Sequence, residues 1–145
     1  MALVEYVTGA DFAALAEFRY QIRRFLHFSE QAARAEGIEP KQHQLLLTIK
    51  GLVELRQEPS IGLLAERMQL QHHSTGELVD RLAERGLVSR SRAREDRRQV
   101  LIRLTARGEA ELEKLTACHL SELSTNGPAL VKALEAVIRR DHGAD

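Results

Sequence analysis

Two polar stretches near the middle of the chain carry side chains that could bind nucleic acid. The first runs from Gln71 to Glu77 and contains no large aliphatic side chain. Its amide, imidazole, hydroxyl and carboxylate groups can exchange hydrogen bonds with base edges in the major groove of DNA. The residues expected to read bases are Gln71, His72, Ser74, Thr75 and Glu77. Arg81 follows one helical turn later and could reach a phosphate.

The second stretch is rich in arginine. Nine arginines lie between positions 81 and 107 against three acids, so this stretch carries nine minus three, or +6, in a 145-residue chain of zero formal net charge. Such clustering is typical of a phosphate- or base-binding patch, although charge alone fits a solvated hairpin equally well. The arginines are Arg81, Arg85, Arg90, Arg92, Arg94, Arg97, Arg98, Arg103 and Arg107.

One acid, Asp96, stands among the arginines of this stretch. We expect Arg92, Arg94 and Arg97 to attract phosphates without regard to sequence, an attraction that salt weakens. An arginine that enters the minor groove must be aimed, and Asp96 can accept a hydrogen bond from a nearby guanidinium and restrict its direction. The stretch therefore predicts a DNA-binding loop formed by Arg92, Arg94, Asp96, Arg97 and Arg98.

Hydrophobic periodicity places the first stretch on the second of two short helices and the second stretch on a hairpin. Ser60 is a good N-cap for the first of these helices, and Gly86 ends the second. The second strand alternates Val100, Ile102 and Leu104 on one face against Leu101 and Arg103 on the other. The expected elements are the helices Ile61–Met68 and His72–Arg85 and the strands Leu87–Ser91 and Gln99–Leu104. Two helices followed by a charged hairpin indicate a winged helix-turn-helix over Ser60–Gly108.

Longer helices are expected on both sides of this motif. A helix Asp11–Glu36 and a second helix from Pro40 precede it. Thr105 caps a further helix, which Asn126–Pro128 is expected to interrupt before a last one. The first helix holds all four phenylalanines, more apolar surface than one small domain readily buries. We interpret it as half of a dimer interface, and packing within the monomer is the alternative.

The chain is thus predicted to be one mainly α domain with a small β-hairpin wing. N-terminal dimerisation helices occupy about 1–56, the winged helix-turn-helix 60–108, and C-terminal dimerisation helices 109–145. No apolar run approaches membrane-spanning length and no signal-peptide pattern opens the chain, so we expect a cytoplasmic protein without a membrane partner. The single cysteine agrees with a reducing compartment.

The motif resembles that of the MarR family, the multiple-antibiotic-resistance-type regulators. The likeness rests on Ser60–Met68 and His73–Val88 for the helix-turn-helix, and on Asp96–Arg98 with Val100–Gly108 for the wing. It implies a homodimeric transcriptional regulator that grips a pseudo-palindromic, double-stranded DNA operator, with repression as the default mode.

The resemblance also implies roles for single residues. Arg98 corresponds to the arginine that enters the minor groove, and Asp96 to the residue that orients it. The residues that fall where the family's recognition helix meets bases are His72, His73, Ser74 and Glu77. Many relatives have a non-acidic residue at the position of Glu77. Because a carboxylate can accept from cytosine N4, we expect the operator to differ from that of common relatives.

The resemblance further implies a small aromatic or lipophilic effector, bound between the dimerisation helices and the winged lobe. The candidate effector-pocket residues are Arg19, Arg23, His27 and His43, which fit surface or dimer-interface positions better. Redox sensing through Cys118 is disfavoured, because free cysteine is usually a small buried hydrophobe. Metal sensing through the pairs His72–His73 or Cys118–His119 lacks a converging ligand, since neighbours on a helix point about 100° apart.

Other classes of protein are disfavoured. The sequence has no Gly-rich phosphate loop, no HExxH zinc helix and no nucleophile motif, so we expect neither an enzyme nor a cofactor. A winged helix that binds protein instead of DNA remains an alternative, which the arginine-rich loop disfavours.

Overall fold

A computed structural model describes residues 6–92 and 98–139, which form five helices and two strands. In chain order they are α1 (Gly9–Ala35), α2 (Pro40–Glu54), α3 (Ile61–Met68), α4 (His72–Glu84), β1 (Val88–Arg92), β2 (Val100–Leu104) and α5 (Ala106–Ile138). The two strands form an antiparallel hairpin. This architecture confirms the predicted fold class, mainly α with a small hairpin.

The chain divides into two compact units. One contains residues 32–117 and the other contains residues 1–31 together with 118–145. The winged helix-turn-helix lies wholly within the first of these, which we call the winged unit; we call the other the helical unit. Within residues 6–92 and 98–139, no helix has both the length and the apolar character needed to cross a membrane.

Side-chain caps decide where several helices begin. The Thr8 amide donates to Asp11 Oδ2 at 2.8 Å and the Asp11 amide donates to Thr8 Oγ1 at 3.3 Å, so α1 begins before the predicted Asp11. Pro40 is the first residue of α2, as predicted. Ser60 Oγ accepts from the Leu63 amide at 3.2 Å, which confirms it as the N-cap of α3.

Residues in the left-handed backbone conformation end three helices at turns that the sequence indicates. Gly37 has φ +74° after α1, and Gly86 has φ +71° after α4. Gln69 ends α3 at φ +54°, and its side chain donates to the Glu66 carbonyl at 2.8 Å. A left-handed conformation costs a non-glycine residue about 1 kcal/mol, so the tight link between α3 and α4 carries local strain.

The last helix, α5, is continuous through Asn126–Pro128, and the predicted interruption is wrong. Pro128 removes one backbone donor from the helical ladder. Helix formation is cooperative, so the many bonds on both sides keep the segment helical. Asn126 Nδ2 also donates to Glu122 Oε1 at 2.6 Å, a side-chain hydrogen bond within the helix where the sequence predicts an interruption.

The core of the winged unit is built from α2, α3, α4, the hairpin and the start of α5. Its contributors from α4 are Leu78, Val79 and Leu82. Other buried members are Ile38, Leu45, Leu46, Ile49, Leu52, Leu64, Leu87, Val88, Ile102, Leu112 and Leu115. This core holds α4 by one side and leaves its other side exposed.

Strand β2 has a neighbour on each edge. It pairs with β1 along its whole length, and Leu101 also forms a bridge with Ser60. The Ile102 amide donates to the Pro59 carbonyl at 2.8 Å. Leu101 and Ile102 are both buried, at 3% and 0% exposure. The expected alternation therefore fails at Leu101, because the segment before α3 pairs with β2 at this position.

A compact junction joins the end of α4 to the start of α5. Thr105 Oγ1 donates to the Gly86 carbonyl at 2.7 Å and accepts from the Gly108 amide at 3.1 Å, so Thr105 caps α5 as predicted. The Thr105 amide donates to the Leu87 carbonyl at 3.1 Å. A Cβ at position 108 would stand 2.1 Å from that same carbonyl oxygen. Only glycine fits there.

An exposed ion cluster connects α2 with α5 in the winged unit. Lys50 Nζ lies 3.2 Å from Glu109 Oε2 and 3.2 Å from Glu54 Oε1. Hydrogen bonds to Glu109 and then to Glu54 raise the pKa of Lys50 above its ordinary value. The lysine therefore stays charged, although exposed pairs of this kind stabilise a fold little.

The helical unit contains an aromatic cluster around His119 of α5. Its Nε2 lies 2.7 Å from Ser29 Oγ, and its ring meets Phe25 and Phe28 edge to face, with centroids 6.0 and 5.5 Å away. Part of the phenylalanine-rich surface is thus used within the monomer. Other large apolar side chains of this unit are exposed, namely Phe12, Leu15, Tyr20, Leu26, Leu120, Leu123, Val131, Leu134 and Ile138.

We expect Gly108→Ala to lower the free energy of unfolding by at least about 2 kcal/mol, because the new methyl group overlaps the Leu87 carbonyl. Gly62→Ala in α3 is the matched control, since no atom lies within 4 Å of its Cβ position and alanine favours a helix by about 0.5–1 kcal/mol. Urea unfolding followed by circular dichroism measures both. Equal stability of the two variants would contradict the tight junction.

Candidate nucleic-acid interface

Helix α4 presents a polar face to solvent along its N-terminal half. The exposed residues of this α4 polar face are Gln71, His72, His73, Ser74, Glu77 and Arg81. The first turn of α4 contains no acidic side chain. The positive end of the helix dipole is therefore not compensated there, which favours an approaching anion such as phosphate. Six of the seven residues that the sequence predicted to meet DNA from this helix thus lie together on one surface.

The seventh, Thr75, is an exception and corrects the prediction. It is fully buried at 0% exposure, and its hydroxyl donates to the Gln71 carbonyl at 2.9 Å. Thr75 lies one turn before Val79 on the core side of α4. Its type suggested a base contact, but its place in the helical repeat puts it among the buried residues, so it has no surface with which to touch DNA.

The two acids in the middle of α4 each have a partner. Glu77 Oε1 lies 3.1 Å from His73 Nε2, one turn away on the same helix. Asp80 Oδ1 lies 2.5 Å from Arg90 Nη2 of β1, and that guanidinium also donates to the Gly76 carbonyl at 3.4 Å. The Asp80–Arg90 pair ties the hairpin to α4. No signal in the sequence points to this pair, because no local spacing connects its members.

Three of the nine arginines make contacts that hold the fold. Arg85 at the end of α4 donates to Gln42 Oε1 at 2.9 Å and to the Gly37 carbonyl at 2.8 Å. Arg107 donates to the Arg85 carbonyl at 3.3 Å, and Arg90 bonds α4 as described above. None of these three was predicted to contact DNA, and part of the positive charge of this stretch therefore serves the fold.

The hairpin brings two of the predicted wing residues to its open end. Arg92 is the last residue of β1 and pairs with Val100, while Arg98 lies two residues before β2. Both are exposed. The predicted wing residues Arg94, Asp96 and Arg97 lie outside the described residues, so the expected orientation of Arg98 by Asp96 stays a prediction.

The candidate effector residues belong to both units, so a site that they share stays a prediction. Arg19, Arg23 and His27 are residues of the helical unit, whereas His43 is a buried residue of the winged unit, at 3% exposure. His27 lines a cavity of about 170 Å³ in the helical unit. The other lining residues are Gln21, Arg24, Phe25, Glu122, Leu123, Asn126 and Leu130.

Cys118 is exposed, which corrects the expectation that it is a buried hydrophobe. Its place three residues after Leu115 suggested burial, but that residue belongs to the core of the winged unit and Cys118 does not. Among residues 6–92 and 98–139, no group of three or more His, Cys, Asp or Glu side chains is arranged to hold a metal ion.

Helices α3 and α4 are short and joined by a tight link, and α4 presents an exposed polar face. An antiparallel hairpin is bonded to α4. This arrangement defines a winged helix-turn-helix protein. A sequence model described as MarR family matches residues 36–99. The chain is also 29% identical, over 102 residues, to the HTH-type transcriptional repressor YetL of Bacillus subtilis (strain 168). Over residues 36–99 the chain is therefore similar to the MarR family.

The match to YetL covers 70% of this chain and 60% of YetL, so this chain spans less than two thirds of that relative. Among solved structures, AbsC of Streptomyces coelicolor, a MarR family transcriptional regulator, has a TM-score of 0.75 at 16% identity, covering 92% of this chain and 93% of AbsC. A cysteine-to-serine mutant of Escherichia coli MarR, complexed with operator DNA, has a TM-score of 0.65 at 20% identity, with coverages of 84% and 88%. These two structures are only 16% and 20% identical to this chain in sequence, so the likeness shows a common fold only.

We expect Arg85→Ala to lower the free energy of unfolding by about 1–3 kcal/mol, because Gln42 and the Gly37 carbonyl lose a charged donor. Arg81→Ala, one turn earlier on the exposed face of the same helix, is the control and should stay within about 0.5 kcal/mol of the parent. Urea unfolding checks both. If the two substitutions cost the same, Arg85 does not anchor α4.

Proposed function

We propose that this chain is a sequence-specific, double-stranded-DNA-binding transcriptional regulator that acts as a repressor. The observation that carries the proposal is the α4 polar face. It is exposed, free of large apolar side chains and located on the second helix of a helix-turn-helix, where such proteins read the major groove. Related proteins support it, since YetL is named a repressor and Escherichia coli MarR and Streptococcus pneumoniae FabT are described in complex with DNA.

In this proposal helix α4 and the wing make different contacts with DNA. Gln71, His72, His73, Ser74 and Glu77 lie against base edges, while Arg81 holds the helix against the phosphate backbone. Arg98 enters the adjacent minor groove, where a narrow A·T-rich segment concentrates negative potential. The other predicted wing residues, Arg92, Arg94 and Arg97, add phosphate contacts, and Asp96 orients Arg98.

We further propose that the active form is a homodimer. Phe12 is 70% exposed and Leu15 51% exposed on α1, and Ile138 is 70% exposed on α5. A single unit seldom leaves so many large apolar side chains in water, whereas a symmetric partner would cover them. Two copies would place two α4 helices on a pseudo-palindromic operator, as in other helix-turn-helix dimers.

A small aromatic or lipophilic effector is the proposed signal, and the cavity of about 170 Å³ in the helical unit is its candidate site. Phe25 and Leu123 offer apolar surface there, and Arg24 and His27 offer donors to a phenolate or carboxylate. The two sensing alternatives have less support. Redox sensing would depend on Cys118 alone or on the Cys118 of a second copy, since it is the only cysteine in the chain. Metal sensing has no converging ligand group within the described ranges.

Binding to a duplex from the region upstream of its own gene should fall steeply as salt rises. Arg98→Ala should weaken this binding about tenfold or more and reduce the slope of log affinity against log salt by about 1, because one cationic contact with the groove is lost. Lys132→Ala removes the same charge from an exposed position on α5 and should leave both quantities unchanged. Fluorescence anisotropy at several salt concentrations measures them, and unchanged affinity of the Arg98 variant would rule out the proposed wing contact.

The double variant Phe12→Glu with Leu15→Glu should convert the dimer into a monomer at micromolar concentration, because four buried charges would face each other across the symmetric interface. Leu47→Glu with Leu55→Glu introduces the same charges at residues of the winged unit that are 46% and 62% exposed, and should remain dimeric. Light scattering after size-exclusion chromatography gives the masses. A dimer in the first variant would place the interface elsewhere.

A further inference from the structure

The α4 polar face contains a hydrogen-bonded pair of exposed side chains. His73 Nε2 lies 3.1 Å from Glu77 Oε1, although the two side chains are 85% and 58% exposed. His73 is the second residue of α4 and Glu77 follows one turn later, so both stand at the end of the helix that enters the major groove in the proposed function. The contact fixes the direction of a carboxylate on a surface that would meet DNA.

An acid on such a surface needs an explanation, because phosphates repel it. The neighbouring acid, Asp80, is paired with Arg90 and serves to hold the hairpin. Glu77 has no such structural task, since its partner His73 is itself exposed and lies on the same helix. A carboxylate has two oxygens with about four acceptor sites, so Oε2 stays available when Oε1 accepts from His73.

We propose that His73 and Glu77 form a two-residue reader of cytosine in each half of the operator. This inference rests on the proposed function and names a base preference of that same site. Glu77 Oε2 accepts a hydrogen bond from the cytosine N4 amino group, and His73 is a positioning residue that donates Nε2–H to Oε1 and aims the carboxylate into the groove.

The pattern of groups in the major groove selects cytosine among the four bases. Guanine presents only the acceptors N7 and O6, and thymine presents the acceptor O4 beside a methyl group, so both repel a carboxylate. Adenine offers an N6 amino donor but places the acceptor N7 next to it. Cytosine alone offers a donor without an acceptor on the same base edge.

This assignment predicts a change of base preference in the Glu77→Gln variant. Glutamine has both a donor and an acceptor and pairs with adenine N6 and N7, so the preferred base should change from cytosine to adenine at one position in each half-site. His73→Ala should keep the preference for cytosine and reduce it about threefold, because the carboxylate loses the bond that directs it. His73→Gln, whose amide can still donate to Glu77, should restore the preference of the parent.

The test uses the full-length protein and a pool of duplexes with a random centre of about two helical turns, selected in parallel with the parent and each variant. Glu84→Gln is the matched control, because it makes the same change on an exposed residue at the other end of α4. Affinities are then measured on two duplexes that differ only in the selected base pair. We expect the parent to prefer C·G over A·T by about 5- to 150-fold, and the Glu77 variant to reverse the order. The Glu84 variant should behave as the parent does.

The outcomes separate this inference from the proposed function. If the parent enriches no sequence, the proposed function is contradicted, and the proposed cytosine contact is contradicted with it. A parent that enriches a defined operator, with a Glu77→Gln variant that enriches the same bases, overturns the reader while sequence-specific binding stands. Identical discrimination by the parent and His73→Ala overturns the positioning assignment of His73. Circular dichroism shows that each variant is folded as the parent is.

Discussion

The close approach of the Gly108 backbone to the Leu87 carbonyl is the constraint on which the geometry of the winged unit depends. Leu87 directly follows the turn that ends α4, and Gly108 lies in the first turn of α5. Thr105 completes the junction with bonds to the backbone of Gly86, Leu87 and Gly108. Strand β1 begins and strand β2 ends next to this junction. This packed contact between backbone segments joins the end of α4 to the base of the hairpin, and the Asp80–Arg90 pair ties the two elements together a second time.

Charge in the winged unit is distributed between structure and surface in a way that a count of arginines does not reveal. Arg85 and Arg90 are tied to fixed acceptors on other segments, whereas Arg81 lies on the exposed α4 polar face. An arginine held by two acceptors costs more to remove from the fold than an exposed one, because its partners lose a charged donor.

The features that could be predicted from the sequence are those that a local signal decides. Ser60 and Thr105 are recognisable as caps, and the glycines at 37 and 86 as helix ends, because each satisfies backbone groups within a few residues. Distant segments decide the features that could not be predicted. The burial of Leu101 depends on a bridge to Ser60, and the Asp80–Arg90 pair joins a helix to a strand. Thr75 was mistaken for a base-reading residue because its type was given more weight than its position in the helical repeat.

The junction at Leu87 and Gly108 has a consequence for how this protein can change during evolution. Because the hairpin is closed at its base, residues inserted between Arg92 and Val100 lengthen a connection whose ends are already fixed. Doubling the length of such a connection costs only about 0.6 kcal/mol of closure entropy. The length of the wing can therefore change without altering α4. In the proposed function, substitutions on the α4 polar face would change base preference without altering the wing, so selection could adjust groove affinity and sequence preference separately.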